Sequence, residues 1–200
     1  MSDPIEFYFD FSSPYSYLAS EMIDTLAAKY GRAVKWRPVL LGAALQKTGQ
    51  PLLVSIPLKG EYSLRDFARS ARFYGIPFNF PALFPLATHV AARAYYWLHG
   101  QDCVRARGFA HAIFRAFWIE GQNIADLAVV QEIAAGLGID RDALAEAVSQ
   151  TEIKQCLKIE TDGAIAKGMF GAPYFIVDGE PFWGADRLPQ IEKWLQTGGF

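Results

Sequence analysis

Strand patterns occur only near the two ends of this 200-residue chain, and the long stretch between them is helical in pattern. Residues 5–11 form a short segment rich in aromatic side chains, which is typical of a largely buried β-strand. Apolar residues then recur at helical spacing over 15–30, and 33–38 is predicted to be a second strand. Ser13 followed by Pro14 is a helix-start signal, because serine caps the first turn and proline suits its first position. The chain is therefore predicted to open as strand, turn, helix and strand.

The last forty residues return to a mixture of helices and strands. The dipeptide Asp178-Gly179 is a typical tight turn between two antiparallel strands. The predicted elements around it are a helix over 154–167, a loop over 168–173, a strand over 174–177, the tight turn at 178–179, a returning strand over 180–183 and a closing helix over 186–195. The closing pattern is thus helix, strand, strand and helix.

The middle of the chain has a different character. Glycine, proline and small polar residues fill 42–60, which predicts an irregular segment. Three prolines over 75–85 exclude a helix there and predict an extended connector whose aromatic side chains face a core or a pocket. Helical patterns occupy the rest of the middle: 62–74, 88–98, 105–119, 126–137 and 141–150.

This order of elements predicts a thioredoxin-like α/β fold that carries a large all-helical insertion. The thioredoxin-like domain is assigned to 1–39 plus 160–200, and the helical insertion domain to 40–159. Hydrophobic residues make up 52% of the chain and charged residues 20%, so the chain can bury a sizeable core.

Composition excludes several classes of function. The formal net charge is −2 with scattered charges, so the chain offers no basic surface for nucleic acid. No apolar segment is long enough to predict a membrane span, and the first residues lack a signal-peptide pattern, which predicts a cytoplasmic protein. Cys103 and Cys156 lie outside any Cys-x-x-Cys motif, and the three histidines share no metal-ligand spacing. No metal site is therefore predicted.

Three short motifs could carry chemistry, and each has a plain structural alternative. Ser13 either caps the helix or directs its hydroxyl at a bound anion or thiolate. Pro173 is either an ordinary trans proline before a strand, or a cis proline that exposes the Ala172 N–H and C=O to an extended peptide. Asp186 either caps the last helix or holds an ammonium group. Asp10, which closes the first strand, is expected to cap or pair locally.

Taken together, these motifs resemble a known group of proteins. The chain resembles the DsbA-like thioredoxin superfamily, and within it the kappa-class glutathione transferases and the 2-hydroxychromene-2-carboxylate isomerases. The segments that carry the resemblance are FYFDFSSPYSYL at 7–18, GAP at 171–173 and VDGEPFWGADRL at 177–188. Shorter matches to the isomerases are Arg37-Pro38, Leu41-Gly42, Tyr74-Gly-Ile-Pro77 and Glu120-Gly121.

The resemblance implies that glutathione is the cofactor. Ser13 stands where related oxidoreductases have a reactive cysteine, and Ala172 is the backbone that pairs with the cysteinyl part of glutathione. Asp186 faces the ammonium group of the γ-glutamyl end, and Trp183 lies beside it. The complete set of implied cofactor-binding residues is Ser13, Ala172, Pro173, Trp183, Gly184, Ala185 and Asp186.

Serine in place of cysteine changes the chemistry of the site. A hydroxyl cannot exchange with a disulfide, but it can donate a hydrogen bond to the sulfur of glutathione and favour the thiolate. The resemblance implies an isomerase that interconverts 2-hydroxychromene-2-carboxylate and trans-o-hydroxybenzylidenepyruvate, in naphthalene-type degradation, by thiolate addition, bond rotation and elimination. The alternatives are a kappa-like glutathione transferase or peroxidase and a non-catalytic glutathione-binding module. A serine hydrolase is a weaker option, because no His–Asp pair has a recognisable spacing.

The substrate side is described by two candidate residues. Phe84 is a candidate wall of the aromatic substrate pocket. The isomerases have a lysine for the substrate carboxylate at a register where this chain has Leu45-Gln46, and Lys47 is the nearest candidate. One residue along a helix turns a side chain by about 100°, so the face that Lys47 occupies decides its role. The expected partners are a small aromatic substrate and a second copy of the chain in a homodimer.

Overall fold

A four-stranded mixed sheet lies at the centre of the computed structural model, which describes residues 3–200. Its strands are β1 (Ile5–Phe9), β2 (Val34–Pro38), β3 (Tyr174–Val177) and β4 (Glu180–Trp183), in the order β2-β1-β3-β4. β1 is parallel to β2 and antiparallel to β3, so Phe7 lies beside Trp36 on one side and Phe175 on the other. Because β1 and β2 are parallel, their carboxyl ends meet at one edge of the sheet.

Ten helices surround this sheet within the described residues. In chain order they are α1 (Pro14–Ser20), α2 (Ile23–Lys29), α3 (Leu41–Thr48), α4 (Lys59–Tyr74), α5 (His89–His99), α6 (Cys103–Trp118), α7 (Leu127–Ala135), α8 (Arg141–Ser149), α9 (Thr151–Ala166) and α10 (Leu188–Thr197). Short 3₁₀ turns lie at Leu53–Ser55 and Ala185–Arg187. The predicted α/β fold with a large helical insertion agrees with this arrangement.

Two predicted elements differ from the structure near the start of the chain. The single helix predicted over 15–30 is two helices, which are separated by Glu21 and Met22, and at the end of α1 the Ser20 hydroxyl donates to the Tyr17 carbonyl at 2.7 Å. The segment 42–60, predicted to be irregular, contains α3 and the first residues of α4. α3 ends at Gly49, whose φ of 67° is the left-handed conformation that glycine adopts easily.

Aromatic side chains join the sheet to the insertion. The rings of Phe7 and Phe175 stack at 5.2 Å between neighbouring strands. On the same strand and just beyond it, Phe9 and Phe11 contact Phe114 of α6 at 5.4 and 4.9 Å. One apolar core therefore runs across the predicted boundary between 1–39 and 40–159, and the division into domains stays a prediction.

Polar contacts between α6 and the junction of α1 and α2 also join the helical insertion to the part of the chain that precedes it. Glu21 accepts a hydrogen bond from Arg115 at 2.9 Å, and its carboxylate lies 3.3 Å from Nδ1 of His111. The His111 ring and the Arg115 guanidinium lower the pKa of Glu21 to about 2, against the opposing effect of burial. A carboxyl group whose pKa is this low in the folded protein stabilises the fold at every pH at which the group is ionised.

Glu21→Gln is expected to lower the free energy of unfolding at pH 7 by about 1–2 kcal/mol, because it removes a half-buried charge from two partners. The folded-state pKa of about 2 lies below the ordinary value of 4.5. The contribution is therefore complete above the unfolded pKa and disappears as the pH falls towards 2. Urea unfolding at pH 7 and pH 3 measures this, and the difference from wild type should fall to about half or less at pH 3.

Glu192→Gln is the matched control, because Glu192 pairs with Lys29 at 3.1 Å on the protein surface. An exposed pair of this kind is expected to contribute less than about 0.5 kcal/mol at either pH. A Glu21→Gln loss of the same size at pH 7 and pH 3 would show that packing, and not charge, is responsible.

Candidate active site

Ser13 lies where the edge of the sheet meets α1. Its backbone is extended, with φ −94° and ψ 116°, and its Oγ accepts the N–H of Ser16 at 3.2 Å. Pro14 follows at the first helical position, so Ser13 caps α1 as the local sequence indicates. The same hydroxyl donates to the carbonyl oxygen of Ala172 at 2.9 Å, across 159 residues of sequence. Ser13 is therefore both a helix cap and the link between α1 and the loop before β3.

The loop before β3 brings the third motif to the same place. Of the two alternatives for the Ala172–Pro173 peptide bond, the structure has the cis form. The carbonyl oxygen of Pro173 accepts the N–H of Gly184 at 3.0 Å, which attaches the end of β4 to this loop. The residues around Ser13, Ala172 and Gly184 thus meet in one place although they come from three distant segments, and we call this meeting place the groove.

Two glycines allow close packing at this groove. A Cβ atom at Gly171 would collide with the indole nitrogen of Trp183, so the loop and the indole are in close contact. Gly184 has a φ of 109°, which other residues rarely adopt, and a Cβ there would meet the carboxylate of Asp186. Trp183 is about half exposed, at 53%, and its ring lies 4.8 Å from that of Phe170.

Asp186 does not cap a helix. Neither the 3₁₀ turn that contains it nor α10 has a side-chain cap. Within residues 3–200, its only ion pair is with the neighbouring Arg187 at 3.5 Å, and its side chain is 68% exposed. The carboxylate is therefore available to a cation from solvent.

Three further polar residues near this groove were not predicted from the sequence. The hydroxyl of Tyr15 donates to Asp66 of α4. Burial raises the pKa values of Tyr15 and Tyr74, and the charges of Asp66 and Asp186 raise them further. Both carboxylates consequently act on the same two tyrosines, and each carboxylate also pairs with an arginine, Asp66 with Arg69 and Asp186 with Arg187. No local pattern reveals this, because Tyr15 and Asp66 are 51 residues apart.

The candidate substrate wall is a cluster of aromatic rings. Phe84 contacts Phe80 at 5.1 Å and Trp118 at 5.8 Å, and Phe78 stacks on Trp118 at 5.6 Å. The Trp118 indole N–H donates to the carbonyl oxygen of Phe11 at 2.9 Å, two residues before Ser13. The connector over 75–85 therefore packs against the Ser13 loop through Trp118.

Lys47 lies elsewhere. It lines an open groove of about 710 Å³ between α3 and α9, together with Ala43, Gln46, Asp162, Ile165 and Ala166. None of these residues contributes to the groove around Ser13. Leu45, two residues earlier on α3, is turned by about 200° from Lys47 and occupies the opposite face. The structure thus does not bring Lys47 together with the other predicted site residues.

Two other kinds of functional feature are absent from residues 3–200. No group of three His, Cys, Asp or Glu side chains is placed to hold a metal ion. In the same part of the chain, no helix has both the length and the apolar character needed to cross a membrane.

Comparison with known proteins defines the class to which this fold and site belong. The family model for the DSBA-like thioredoxin domain matches residues 4–196, and the chain belongs to that family. It is 34% identical to a 2-hydroxychromene-2-carboxylate isomerase of Sphingobium xenophagum, over 98% of this chain and 99% of the relative. It is 30% identical to glutathione S-transferase kappa 2 of Caenorhabditis elegans, over 96% of this chain and 91% of the relative.

A solved structure of a 2-hydroxychromene-2-carboxylate isomerase superimposes with a TM-score of 0.87 at 29% sequence identity. The match covers 96% of this chain and 94% of that structure. The resemblance predicted from the three motifs is therefore confirmed, as is the thioredoxin-like fold with its helical insertion.

Proposed function

We propose that this protein is a glutathione-dependent isomerase that interconverts 2-hydroxychromene-2-carboxylate and trans-o-hydroxybenzylidenepyruvate. The observation that carries the proposal is the 2.9 Å contact between the Ser13 hydroxyl and the Ala172 carbonyl. It places a buried hydroxyl against the backbone that would pair with the cysteinyl part of glutathione. Similarity to two groups of glutathione-related enzymes, the isomerases and the kappa transferases, supports the same assignment.

The residues of the groove fit glutathione in shape and charge. Gly171 and Gly184 let Trp183 and Asp186 pack directly against the backbone beside Ala172, where a larger residue would displace them. The exposed carboxylate of Asp186 suits the ammonium group of the γ-glutamyl end. The proposed cofactor-binding set is Ser13, Ala172, Pro173, Trp183, Gly184, Ala185 and Asp186.

Each of these groups has a definite task in the proposed reaction. Glutathione, when bound, supplies a thiolate that adds reversibly to the substrate double bond and so permits rotation. The Ser13 hydroxyl has one proton, which it donates to the Ala172 carbonyl in the structure. With glutathione bound, the hydroxyl would turn and donate that proton to the sulfur, which favours the ionised form. The Ala172 backbone would orient the cysteinyl unit through its N–H and C=O, since Ala172 lies in the loop before β3 and outside the paired part of the sheet. The sulfur is thereby held in one position, and positioning is a large part of catalysis.

The aromatic cluster forms the substrate side of the proposal. Phe84 and Phe80, which pack against the buried Trp118, would exclude water and present ring faces to a small aromatic substrate. Lys47 is left outside the proposed site because it lines the groove between α3 and α9.

The proposal predicts that glutathione acts catalytically. With glutathione limiting, each molecule should support many turnovers of 2-hydroxychromene-2-carboxylate, and the concentration of free thiol should stay constant. Absorbance of the substrate and a thiol assay on the same sample measure both quantities. S-Methylglutathione is the control, since it keeps the peptide but has no thiol and should support no turnover above background.

Other outcomes separate the alternatives. Consumption of one glutathione for each product would identify a transferase, a possibility that the 30% identity to the kappa enzyme keeps open. Saturable binding of glutathione without turnover of the chromene or of other electrophiles would identify a binding module.

A further inference from the structure

Asp10 is a buried carboxylate in the loop that carries Ser13, and the proposed mechanism does not use it. The side chain of Asp10 is only 4% exposed. One carboxylate oxygen accepts the Ser12 N–H at 2.9 Å and the Thr88 hydroxyl at 3.0 Å. The other accepts the Leu41 N–H at 2.8 Å. Asp10 therefore contacts three separate segments of the chain.

A buried carboxylate is costly, and this one has no ion-pair partner among residues 3–200. Burial raises the pKa of Asp10, and the backbone N–H groups of Leu41 and Ser12 counter part of that rise. A serine or asparagine could have turned the chain locally after β1. The loop instead has a charge that holds two distant segments.

Those segments are the parts of the insertion that surround the site. Leu41 begins α3, and Thr88 immediately precedes α5, four residues after Phe84 of the aromatic wall. The loop backbone is also held at its next residues, since Ser13 donates its N–H to the Asp10 carbonyl at 3.0 Å. Together with the Trp118 contact to Phe11, these bonds fix every residue from 10 to 13.

We propose that Asp10 is a positioning residue that, through Thr88 and Leu41, holds Ser13 at the distance from Ala172 that activation of the thiol requires. This inference rests on the proposed function. It means that the helical insertion supplies the substrate wall and also sets the position of the activating hydroxyl. Removal of the hydrogen bond from Thr88 to Asp10 should then affect catalysis only through Ser13.

The test is a double-mutant cycle between Thr88→Val and Ser13→Ala. Valine matches threonine in shape but cannot donate to Asp10. Thr88→Val alone should lower kcat about fivefold and change the pKa of the bound glutathione thiol. In the Ser13→Ala background the same substitution should change neither quantity, because the residue through which it acts is gone.

Thr88→Ser keeps the hydroxyl and should restore wild-type kcat. Thr48→Val is the matched control, because the Thr48 hydroxyl donates within α3 to the Ala44 carbonyl at 3.0 Å and not to Asp10. Amide hydrogen exchange without glutathione provides a second readout. The N–H groups of Ser12 and Ser13 should exchange faster in Thr88→Val and in the isosteric Asp10→Asn, and at the wild-type rate in Thr48→Val.

Equal losses of kcat from Thr88→Val in both backgrounds would overturn the proposal, since they would show an effect independent of Ser13, such as the field of the Asp10 charge. Unchanged exchange of Ser12 and Ser13 in both Thr88→Val and Asp10→Asn would also overturn it. A Ser13→Ala protein with full activity would overturn the proposed function itself, and this inference with it.

Discussion

Replacing Ser13 by alanine should lower kcat about 100-fold while changing the affinity for glutathione by less than about threefold. The hydroxyl is buried beside Ala172 and would donate to the thiolate when glutathione is bound, and removing one such donor to a developing or full negative charge typically costs 10²–10³ in rate. Affinity should persist, because the Ala172 backbone and Asp186 are unchanged. The pKa of the bound thiol should rise towards its value in free solution.

Ultraviolet absorbance of the thiolate, followed against pH with glutathione saturating, measures this directly. Ser20→Ala is the matched control, since Ser20 is also buried in α1 but donates to the Tyr17 carbonyl at 2.7 Å. Ser13→Ala also removes a helix cap, so a stability loss of about 1 kcal/mol is expected and folding must be checked first. A thiolate signal at neutral pH that is equally strong in Ser13→Ala would contradict the role proposed for the hydroxyl.

Elements with complete local signals could be predicted from the sequence. The hairpin strands over 174–177 and 180–183 have the same bounds in the structure, because Asp178-Gly179 fixes the turn between them. The helices of the insertion other than α3 were predicted to within a few residues at each end, since an amphipathic repeat identifies them without knowledge of their partners.

α3 could not be predicted, because its start depends on a distant residue. Local composition over 42–60 favours an irregular segment, but the N–H of Leu41 is bound by Asp10, 31 residues earlier. Without α3, the face on which Lys47 lies could not be known either. Asp10 was expected to cap or pair locally, and it accepts a hydrogen bond from the neighbouring Ser12. Its hydrogen bond from Thr88 spans 78 residues, so no local sequence pattern predicts it.

The residues of the candidate site also fall into two groups, those that a local motif identifies and those that only tertiary packing brings together. Residues within recognisable motifs, such as Ser13, Ala172 and Asp186, could be named because their motifs are short and contiguous. Their meeting in one groove followed from the predicted fold, since the sheet edge, the loop before β3 and the start of the last helix converge there. Tyr15 and Asp66 were missed because only tertiary packing brings α1 against α4.

Asp186→Asn should weaken glutathione binding about 20-fold with little effect on kcat at saturation. In the proposed site this carboxylate faces the ammonium group, and a hydrogen bond to a charged partner typically contributes about 1.5–3 kcal/mol. Asparagine keeps the size of the side chain, so Gly184 and the 3₁₀ turn around it should be undisturbed. The effect should therefore appear in the dissociation constant, because the sulfur and Ser13 are unaffected.

Calorimetric titration with glutathione and with its deamino analogue measures the interaction, because the analogue lacks only the ammonium group. Asp186→Asn should weaken glutathione alone, so that the two ligands bind the variant with similar affinity. Asp162→Asn is the matched control: Asp162 is similarly exposed, at 59%, but it lies in the groove between α3 and α9 and pairs with Lys158. If Asp186→Asn weakened both ligands equally, the carboxylate would be supporting the shape of the turn, and the ammonium group would have to bind elsewhere, with Asp66 as the nearest carboxylate that acts on the same tyrosines.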